Sequence, residues 1–253
     1  MSRKLFIIFS VLYIHILIVK CGRVKRVING NEVACGAQPR VVSLRNITND
    51  QHICGATLLS PLFAVTAAHC AQRDPLQYTL QINNYCHQSP PKAQVLEIIT
   101  HQLYDRLSLA HDISLLRINI DSDDVAWLNH TVLPKSSFGL AGECMIYGYG
   151  YNDLNTKKTS ETLSVAKATL VSLDKCKQIL GPVAPEYDHG MLCAVGIEAD
   201  SCQGDSGGPL ICKDSEIQGI SSYGLSCGVP GVPAVYTSIG SHLQWIREVT
   251  NIR

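Results

Sequence analysis

Three side chains that lie far apart along the chain could together hydrolyse an amide or ester bond. Ser206 lies in the glycine-rich segment DSCQGDSGGPL, His69 ends an apolar run in TAAHC, and Asp112 begins the apolar run DISLL. A serine hydroxyl needs a neighbouring base to act as a nucleophile near neutral pH. An imidazole can be that base, and a carboxylate that accepts its N–H fixes its tautomer. The three residue types therefore indicate nucleophilic catalysis.

The glycines around Ser206 suggest a second catalytic element. Glycine lets the main chain turn tightly and approach a ligand closely. The N–H groups of Gly204 and Ser206 could then converge on an oxygen that gains negative charge in the transition state. A single glycine-rich segment can be an ordinary turn, and a single histidine is more often a packed residue. The interpretation therefore depends on the three segments together.

The elements that must position these residues are mostly short strands. Apolar and β-branched runs recur along the chain between Gly, Pro, Asn and Ser, which predicts an all-β barrel or sandwich. The clearest helix is predicted over residues 241–250, where Leu243, Ile246 and Val249 share one face. The polar residues 121–137 are interpreted as a linker between two β units. The predicted strands are Val41–Leu44, Ala56–Leu59, Tyr78–Ile82, Val95–Thr100, Ile113–Ile118, Met145–Tyr149, Leu163–Leu170, Ile217–Ser222 and Ala234–Ile239.

The N-terminus has the pattern of a secretory signal peptide over residues 1–21. Arg3 and Lys4 precede a mostly apolar stretch, residues 5–19, which is shorter than the about 20 residues of a membrane-spanning helix. We expect cleavage after Cys21, with a signal anchor as the alternative. No later apolar run is long enough to cross a membrane.

A short basic segment, GRVKR over residues 22–26, follows this leader. Arg-x-Lys-Arg is a dibasic processing signal, so we expect cleavage after Arg26. That cleavage would give Val27 a free α-amino group. A flexible basic linker is the alternative interpretation.

Charge and cysteine content narrow the class of protein. The 253 residues include 21 basic and 21 acidic side chains, and residues 1–26 hold six of the basic ones and none of the acidic ones. The remainder has a net charge of −6, which disfavours nucleic acid as the partner. Eleven cysteines suit a secreted protein, and loss of Cys21 would leave an even number. Asn46 and Asn129 begin N-glycosylation sequons.

The motifs resemble those of the trypsin/chymotrypsin family of serine proteases. TAAHC, DISLL and GDSGGP occur in that family's order, His then Asp then Ser, and the resemblance extends from Val27 to Arg253. It implies an all-β fold of two six-stranded antiparallel β-barrels with a C-terminal α-helix. The expected boundaries are about 27–130 and about 131–240 for the barrels and about 241–250 for the helix.

The resemblance assigns a role to each catalytic residue. Ser206 is expected to be the nucleophile, His69 the general base and then the general acid, and Asp112 the orienting carboxylate. Gly204 and Ser206 are expected to form the oxyanion hole. The implied activity is a trypsin-like serine endopeptidase, a hydrolase that works through an acyl-enzyme.

The resemblance also implies a zymogen. The sequence VING at Val27 is similar to the family's activation sequence, although Asn29 replaces a glycine. The ammonium group freed by cleavage after Arg26 is expected to pair with the buried Asp205 and so to order the oxyanion loop.

The pocket that binds the side chain before the scissile bond is implied by the same resemblance. Asp200, six residues before Ser206, matches the family's pocket floor, where a carboxylate attracts Arg or Lys. Ala234 stands where trypsins usually have glycine, so its methyl group is expected to narrow the slot and to favour Arg. Tyr223 replaces a usual tryptophan beside the pocket. The implied pocket residues are Asp200, Ser201, Ser222, Gly224 and Ala234.

Ten cysteines are assigned to disulfides, again by the family pattern. Cys35 matches a family cysteine whose usual partner is missing, and it is assigned to Cys86, the one mature cysteine that remains. The sequence alone cannot fix connectivity. The expected pairs are Cys35–Cys86, Cys54–Cys70, Cys144–Cys212, Cys176–Cys193 and Cys202–Cys227.

No metal and no cofactor is expected. Zinc would be the competing use of the cysteines, but no paired CxxC or CxxH spacing supports it. The segment 82–92, which resembles the calcium loop of trypsins in position, has no carboxylate. We expect a secreted, extracellular monomer that acts on protein or peptide substrates with Arg or Lys and is open to protein inhibitors, without nucleic acid or membrane partners. The alternative is a protease-fold binding protein with weak or absent catalysis.

Overall fold

Strands dominate the computed structural model, as the sequence predicts. Thirteen strands and two α-helices lie within the described residues, and the first strand, β1 (Asn31–Glu32), pairs antiparallel with residues 164–165. The structure describes residues 30–82, 91–120, 128, 132–135, 142–151, 159–197, 204–212, 215–225 and 229–252.

Six strands close into the first barrel, in which β2 pairs with β3 and β5, β7 with β4 and β6, and all pairs are antiparallel. Leu44, Leu58 and Leu80 are fully buried in its core. Burial of each such side chain contributes about 1.5–3 kcal/mol. The barrel therefore gives a rigid base to the residues that follow β4 and precede β7. The strands are β2 (Val41–Asn46), β3 (His52–Ser60), β4 (Phe63–Thr66), β5 (Tyr78–Gln81), β6 (Lys92–Thr100) and β7 (Ser114–Asn119).

Six further strands form a second ring, because β8 pairs with both β9 and β11 and so joins the two ends of the order β9, β10, β13, β12, β11. Ile146, Leu210 and Tyr236 are buried in its core. The expectation of two six-stranded antiparallel barrels is confirmed. The strands are β8 (Glu143–Gly148), β9 (Ser164–Val171), β10 (Met191–Ile197), β11 (Pro209–Ile211), β12 (Ile217–Tyr223) and β13 (Ala234–Ser238).

Two helices accompany the second barrel. Helix α1 (Leu173–Leu180) begins where the Ser172 hydroxyl accepts a hydrogen bond from the Lys175 N–H. Helix α2 (Ile239–Thr250) follows β13 directly and packs against β12. It is the predicted C-terminal helix, but it begins two residues earlier than expected, because the Ser238 hydroxyl caps it by accepting from the Ser241 N–H.

Four strands, β1, β4, β10 and β11, and one helix are additional to the runs that the sequence singles out. Strand β4 is only four residues long, and β11 only three. Strand β10 includes Cys193 and Gly196, and helix α1 contains two lysines and a glutamine on a short polar surface. Their apolar patterns are too short or too mixed to stand out, and neighbouring strands stabilise them instead.

Hydrogen bonds join the two barrels across a seam. The Gly55 N–H of β3 donates to the Ser206 carbonyl at 2.7 Å, and the Tyr149 hydroxyl donates to the Val41 carbonyl at 3.2 Å. The Arg45 guanidinium bonds both carboxylate oxygens of Glu161, at 3.0 and 3.1 Å. The seam fixes residues of one barrel against residues of the other, and the candidate site lies along it.

Candidate active site

His69 lies in the short 3-10 turn Ala68–Cys70 that follows β4. Ala68 and Cys70 on either side of it are buried, and the Cys54–Cys70 disulfide ties the turn to β3. The His69 side chain keeps 29% of its surface exposed. The first barrel therefore fixes the main chain of His69 while the imidazole stays accessible.

Asp112 is completely buried two residues before β7, and both barrels hold it. Its carboxylate accepts hydrogen bonds from the His69 N–H at 2.9 Å, from His69 Nδ1 at 2.7 Å and from the Ser222 hydroxyl of β12 at 2.6 Å. Its main-chain carbonyl accepts from the Thr237 hydroxyl of β13 at 2.8 Å. A buried carboxylate needs such partners, since an unpaired one is costly.

The hydrogen bond between His69 and Asp112 defines the tautomer of the imidazole. An ionised carboxylate can only accept, so His69 Nδ1 carries the proton. In the neutral ring Nε2 then has a free lone pair. His69 can therefore take up a proton at Nε2 and give it back, as a general base and acid must.

The segment that carries Ser206 lies in the seam between the barrels. The Ser206 carbonyl accepts from Gly55 of β3, and the Gly207 N–H donates to the Ser221 carbonyl of β12 at 2.8 Å. Gly207 has φ +78°, and a Cβ at this position would overlap Gly55 and Thr66. Only glycine fits there. Gly207 therefore lies against Thr66, three residues before His69, which places the half-buried Ser206 next to the segment that carries His69.

Asp205, beside Ser206, is completely buried. Its Oδ1 accepts a hydrogen bond from the Gly150 N–H at 2.7 Å. Side chains at Gly148 or Gly150 would overlap this carboxylate, so the two glycines leave room for it. Arg26 and Val27, the expected activation residues, lie outside the described residues.

His52, which sequence reasoning missed, supports the loop before Ser206. Its Nε2 donates to the Gly204 carbonyl at 2.8 Å, so Nδ1 accepts from the Ser43 hydroxyl at 2.7 Å. Burial lowers the pKa of His52 to about 4. Gly204, an expected oxyanion-hole residue, has φ +95° and is held through its carbonyl. Nothing in the local sequence around His52 distinguishes it from a packed histidine.

Three of the implied pocket residues lie close together where β12 and β13 pair. Ser222 and Ala234 are buried, and a Cβ placed on Gly224 would lie 3.7 Å from the Ala234 Cβ. The Ala234 methyl group therefore faces the space that Gly224 leaves open. Asp200 and Ser201 lie outside the described residues. The Tyr223 hydroxyl donates to the Val183 carbonyl at 3.1 Å, and burial raises the pKa of Tyr223 to about 12.

Three of the five expected disulfides are present: Cys54–Cys70, Cys144–Cys212 and Cys176–Cys193. Cys35 is also disulfide-bonded. Its expected partner Cys86, together with Cys202 and Cys227, lies outside the described residues, so these two pairings stay predictions.

The structure describes only one of the two N-glycosylation sequons. Asn46 ends β2 and is half-buried, and its side-chain oxygen accepts from the Thr48 N–H at 2.8 Å. Asn129 lies outside the described residues.

Two antiparallel six-stranded barrels with a histidine–aspartate pair and a glycine-rich serine segment at their seam define the class of two-barrel serine proteases. A family model described as Trypsin matches residues 27–246. The chain therefore belongs to the trypsin family.

Several serine proteases are similar to the chain. Coagulation factor XII of Bos taurus is 31% identical over 89% of this chain, and transmembrane protease serine 9 of Rattus norvegicus is 32% identical over 89% of it. The solved structure of neuropsin, a serine protease expressed in the limbic system of mouse brain, superimposes with a TM-score of 0.73. That match has 31% sequence identity and covers 88% of this chain and 99% of neuropsin.

The alignment covers only 40% of the factor XII sequence and 22% of the transmembrane protease. The chain thus corresponds to part of those larger relatives. Within the described ranges, none of the helices has both the length and the apolar character needed to cross a bilayer.

Proposed function

We propose that the chain is a secreted serine endopeptidase that cleaves peptide bonds after Arg, and also after Lys. The observation that supports it most directly is the hydrogen bond between His69 Nδ1 and the buried Asp112 carboxylate at 2.7 Å. It leaves the Nε2 lone pair of His69 as the base, on a side chain that keeps 29% of its surface exposed. The half-buried Ser206 in its rigid glycine-rich segment is the nucleophile that this base serves.

The reaction proceeds through an acyl-enzyme. Ser206 Oγ bonds to the scissile carbonyl carbon while its proton passes to His69 Nε2. The N–H groups of Gly204 and Ser206 stabilise the oxyanion of the tetrahedral intermediate. His69 then gives the proton to the leaving amine as the C–N bond breaks. Water hydrolyses the ester by the same steps, and Ser206 regains its proton.

Specificity for a cationic side chain is proposed from Asp200 at the pocket floor, with Ser201, Ser222, Gly224 and Ala234 as further pocket residues. A guanidinium can bond a carboxylate directly through two N–H groups, whereas the shorter lysine side chain can need a bridging water. The Ala234 methyl group reduces the room for such a water. Arg is therefore the preferred residue.

Activation is proposed to follow removal of residues 1–21 as a signal peptide and of 22–26 as a propeptide. The new ammonium group of Val27 pairs with Asp205, which is buried beside Gly148 and Gly150. Because Asp205 is next to Ser206, this ion pair orders the oxyanion hole. The protein then acts as an extracellular monomer on protein or peptide substrates, is open to protein protease inhibitors, and carries glycans at Asn46 and Asn129.

The decisive experiment is hydrolysis of matched chromogenic peptides ending in Arg, Lys or Leu by the full-length chain after cleavage at Arg26. We expect hydrolysis after Arg, less after Lys and none after Leu. An arylphosphonate that reacts with the active-site serine should label the protein, and Ser206→Ala should abolish both labelling and hydrolysis. Absence of labelling in a correctly processed chain would contradict the proposal and favour a binding protein with a protease fold.

A second experiment tests activation. Arg26→Gln should give a secreted, folded protein that does not hydrolyse the Arg substrate. Activity should appear only when the chain is cut before Val27 at a cleavage site introduced for another protease. N-terminal sequencing of the wild-type protein should begin at Val27. Full activity of uncut Arg26→Gln would overturn the activation mechanism.

A further inference from the structure

Three histidines from separate segments of the chain meet beside Asp112. His101 directly follows β6, His111 directly precedes Asp112, and His242 lies in the first turn of helix α2. His101 and His242 are buried and His111 is half-buried. One ring nitrogen from each of the three lies within 4.8 Å of those of the other two. We call these residues the histidine cluster.

The hydrogen bonds of His242 show which of its nitrogens faces the cluster. His242 Nδ1 lies 2.6 Å from the Ser238 carbonyl, and a carbonyl can only accept. The Nδ1 atom therefore carries the proton, and in the neutral ring Nε2 has a lone pair. That Nε2 lies 3.0 Å from His111 Nδ1. A main-chain carbonyl that fixes the tautomer of a histidine in this way is a common outer partner of metal-binding histidines.

His111 also has a carbonyl partner, that of Asp188. With its proton on Nδ1, His111 donates to the His242 Nε2 lone pair, and with its proton on the other ring nitrogen, Nδ1 and His242 Nε2 both have lone pairs. In that second tautomer a metal ion can take both nitrogens as ligands, in place of the hydrogen bond between the rings.

Packing fixes the three rings before any ligand arrives. The His101 ring stacks on His111 at a centroid distance of 5.2 Å and meets His242 and Trp245 edge-on at 4.8 and 4.9 Å. The main chain of Gly190 forms a wall, since a Cβ there would lie 2.6 Å from His242 Cε1. Rings held in this way need little ordering to bind an ion.

We propose that the histidine cluster binds a divalent transition-metal ion, Zn²⁺ in the first instance. Imidazole nitrogen is a preferred zinc ligand, and three histidines with one water complete a tetrahedral site. At Zn–N distances of about 2.0–2.1 Å the ligand nitrogens are about 3.4 Å apart. The nitrogens of the histidine cluster, all within 4.8 Å of one another, close to this spacing when the metal binds. The three positions are separated by 10 and 131 residues, so no local sequence motif predicts this site.

Zinc at the histidine cluster should also slow catalysis, an inference that rests on the proposed function. His111 and Asp112 are consecutive, and His111 holds the strained φ of +50°. A shift of the His111 ring toward a metal would turn the peptide that leads into Asp112. Because Asp112 orients His69, a small turn there lowers kcat more than it raises KM.

Metal binding is tested directly by calorimetric titration of ZnCl₂ into the full chain carrying Ser206→Ala, which prevents self-digestion. We expect one equivalent to bind, and we expect His242→Gln or His111→Gln to weaken binding at least tenfold. His189→Gln and His69→Gln are matched controls, since neither residue belongs to the histidine cluster, and both should bind zinc as before. A visible absorption band on titration with Co²⁺ reports the same site if a buried substitution disturbs folding. Binding that is absent, or that survives His242→Gln and His111→Gln but not a control, would overturn the site.

The link to catalysis is tested on the active protease with an Arg substrate. Zinc should lower kcat in the wild type. The His101→Gln variant should be as active as the wild type without zinc, and zinc should not inhibit it. Inhibition that persists in His101→Gln would overturn the link, because zinc would then act at another place such as His69. If the chain hydrolyses no substrate, the proposed function fails, but the calorimetry still shows whether the histidine cluster binds zinc. Failure of the proposed function and failure of the metal site are therefore distinguishable.

Discussion

Asp112 accepts hydrogen bonds from two different atoms of His69, the main-chain N–H at 2.9 Å and the ring Nδ1 at 2.7 Å. One buried carboxylate therefore sets both the position of the main chain and the tautomer of the imidazole. Ser222 holds the same carboxylate from the second barrel at 2.6 Å. The geometry of the base thus depends on the packing of the two barrels against each other.

The first prediction concerns Asp112→Asn. The amide can present N–H where the carboxylate presents an acceptor, so His69 would change tautomer and lose the Nε2 lone pair. We expect kcat on an Arg substrate to fall by about 10⁴-fold, which is the known size of this effect in trypsin rather than a value obtained from this structure. Steady-state kinetics measure it, and circular dichroism verifies the fold.

Asp74→Asn is the matched control for that change. Asp74 is an exposed cap whose side chain accepts from the Leu76 N–H, and asparagine caps equally well. Its kcat should stay within about twofold of the wild type, a change of about 0.4 kcal/mol in the activation free energy. A loss below tenfold for Asp112→Asn would contradict the role of the carboxylate.

The second prediction concerns Ser222→Ala. This change removes one of the three donors to the buried Asp112 carboxylate and leaves the two from His69. A hydrogen bond to a charged group is worth about 1.5–3 kcal/mol, so kcat should fall by about tenfold or more. Because Ser222 also belongs to the proposed pocket, the rate should be measured on a small activated ester as well as on a peptide.

Ser221→Ala, one position earlier on the same strand, is the control. The Ser221 main chain joins the Ser206 segment, and this change leaves the main chain intact. Its kcat on the ester should remain close to that of the wild type. Equal rates for the two variants would show that the Ser222 hydroxyl does not hold Asp112 in a way that matters to catalysis.

The sequence predicted much of the fold because its signals are local. Runs such as Val41–Leu44 and Ile113–Ile118 are apolar and β-branched, and each lies within or overlaps an observed strand. The hydrogen bond between His69 and Asp112, which are 43 residues apart, could not be predicted from either sequence segment alone. It depended on resemblance to a family in which both motifs occur in one order.

Contacts that depend on side chains across the seam were not predicted. His52 holds Gly204, 152 residues away, and the histidine cluster joins two loops and a helix. Neither has a motif, because each partner is an ordinary histidine in its own segment. Such contacts follow only when the strand order and register are known.

The third prediction concerns the width of the proposed pocket. Ala234→Gly removes the methyl group that faces Gly224, so a bridging water gains room. We expect the preference for Arg over Lys, as the ratio of kcat/KM values, to fall by about tenfold, the lower end of the effect of one methyl-sized group in a pocket. Matched Arg and Lys peptide substrates measure this ratio.

Gly224→Ala supplies the opposite change at the same place. Its Cβ would make an ordinary contact of 3.7 Å with Ala234, so the variant should fold. The added methyl group should lower kcat/KM for both substrates by at least tenfold while labelling of Ser206 by a small phosphonate continues. An unchanged Arg-to-Lys ratio in Ala234→Gly would exclude Ala234 as a determinant of this preference.

The fourth prediction concerns the pH dependence of stability and depends on His52. Burial lowers the pKa of His52 to about 4 in the folded protein, from about 6.5 in an unfolded chain. Between these values the unfolded state binds a proton that the folded state does not, so stability is lost as the pH falls from about 6.5 to about 4. His52→Gln removes this proton, and its amide can still donate to Gly204. The difference in unfolding free energy between wild type and variant should therefore shrink as the pH falls.

Urea unfolding at pH 7, 6, 5 and 4 measures this difference, with Ser206→Ala in both chains to prevent self-digestion and a chelator present to remove bound metal. The wild type should be the more stable protein at pH 7, where neutral His52 accepts from Ser43 and donates to Gly204. Acid should then lower its unfolding free energy more steeply than that of His52→Gln. A difference that stays constant from pH 7 to pH 4 would show that His52 takes up its proton equally in both states, and that burial does not govern its charge.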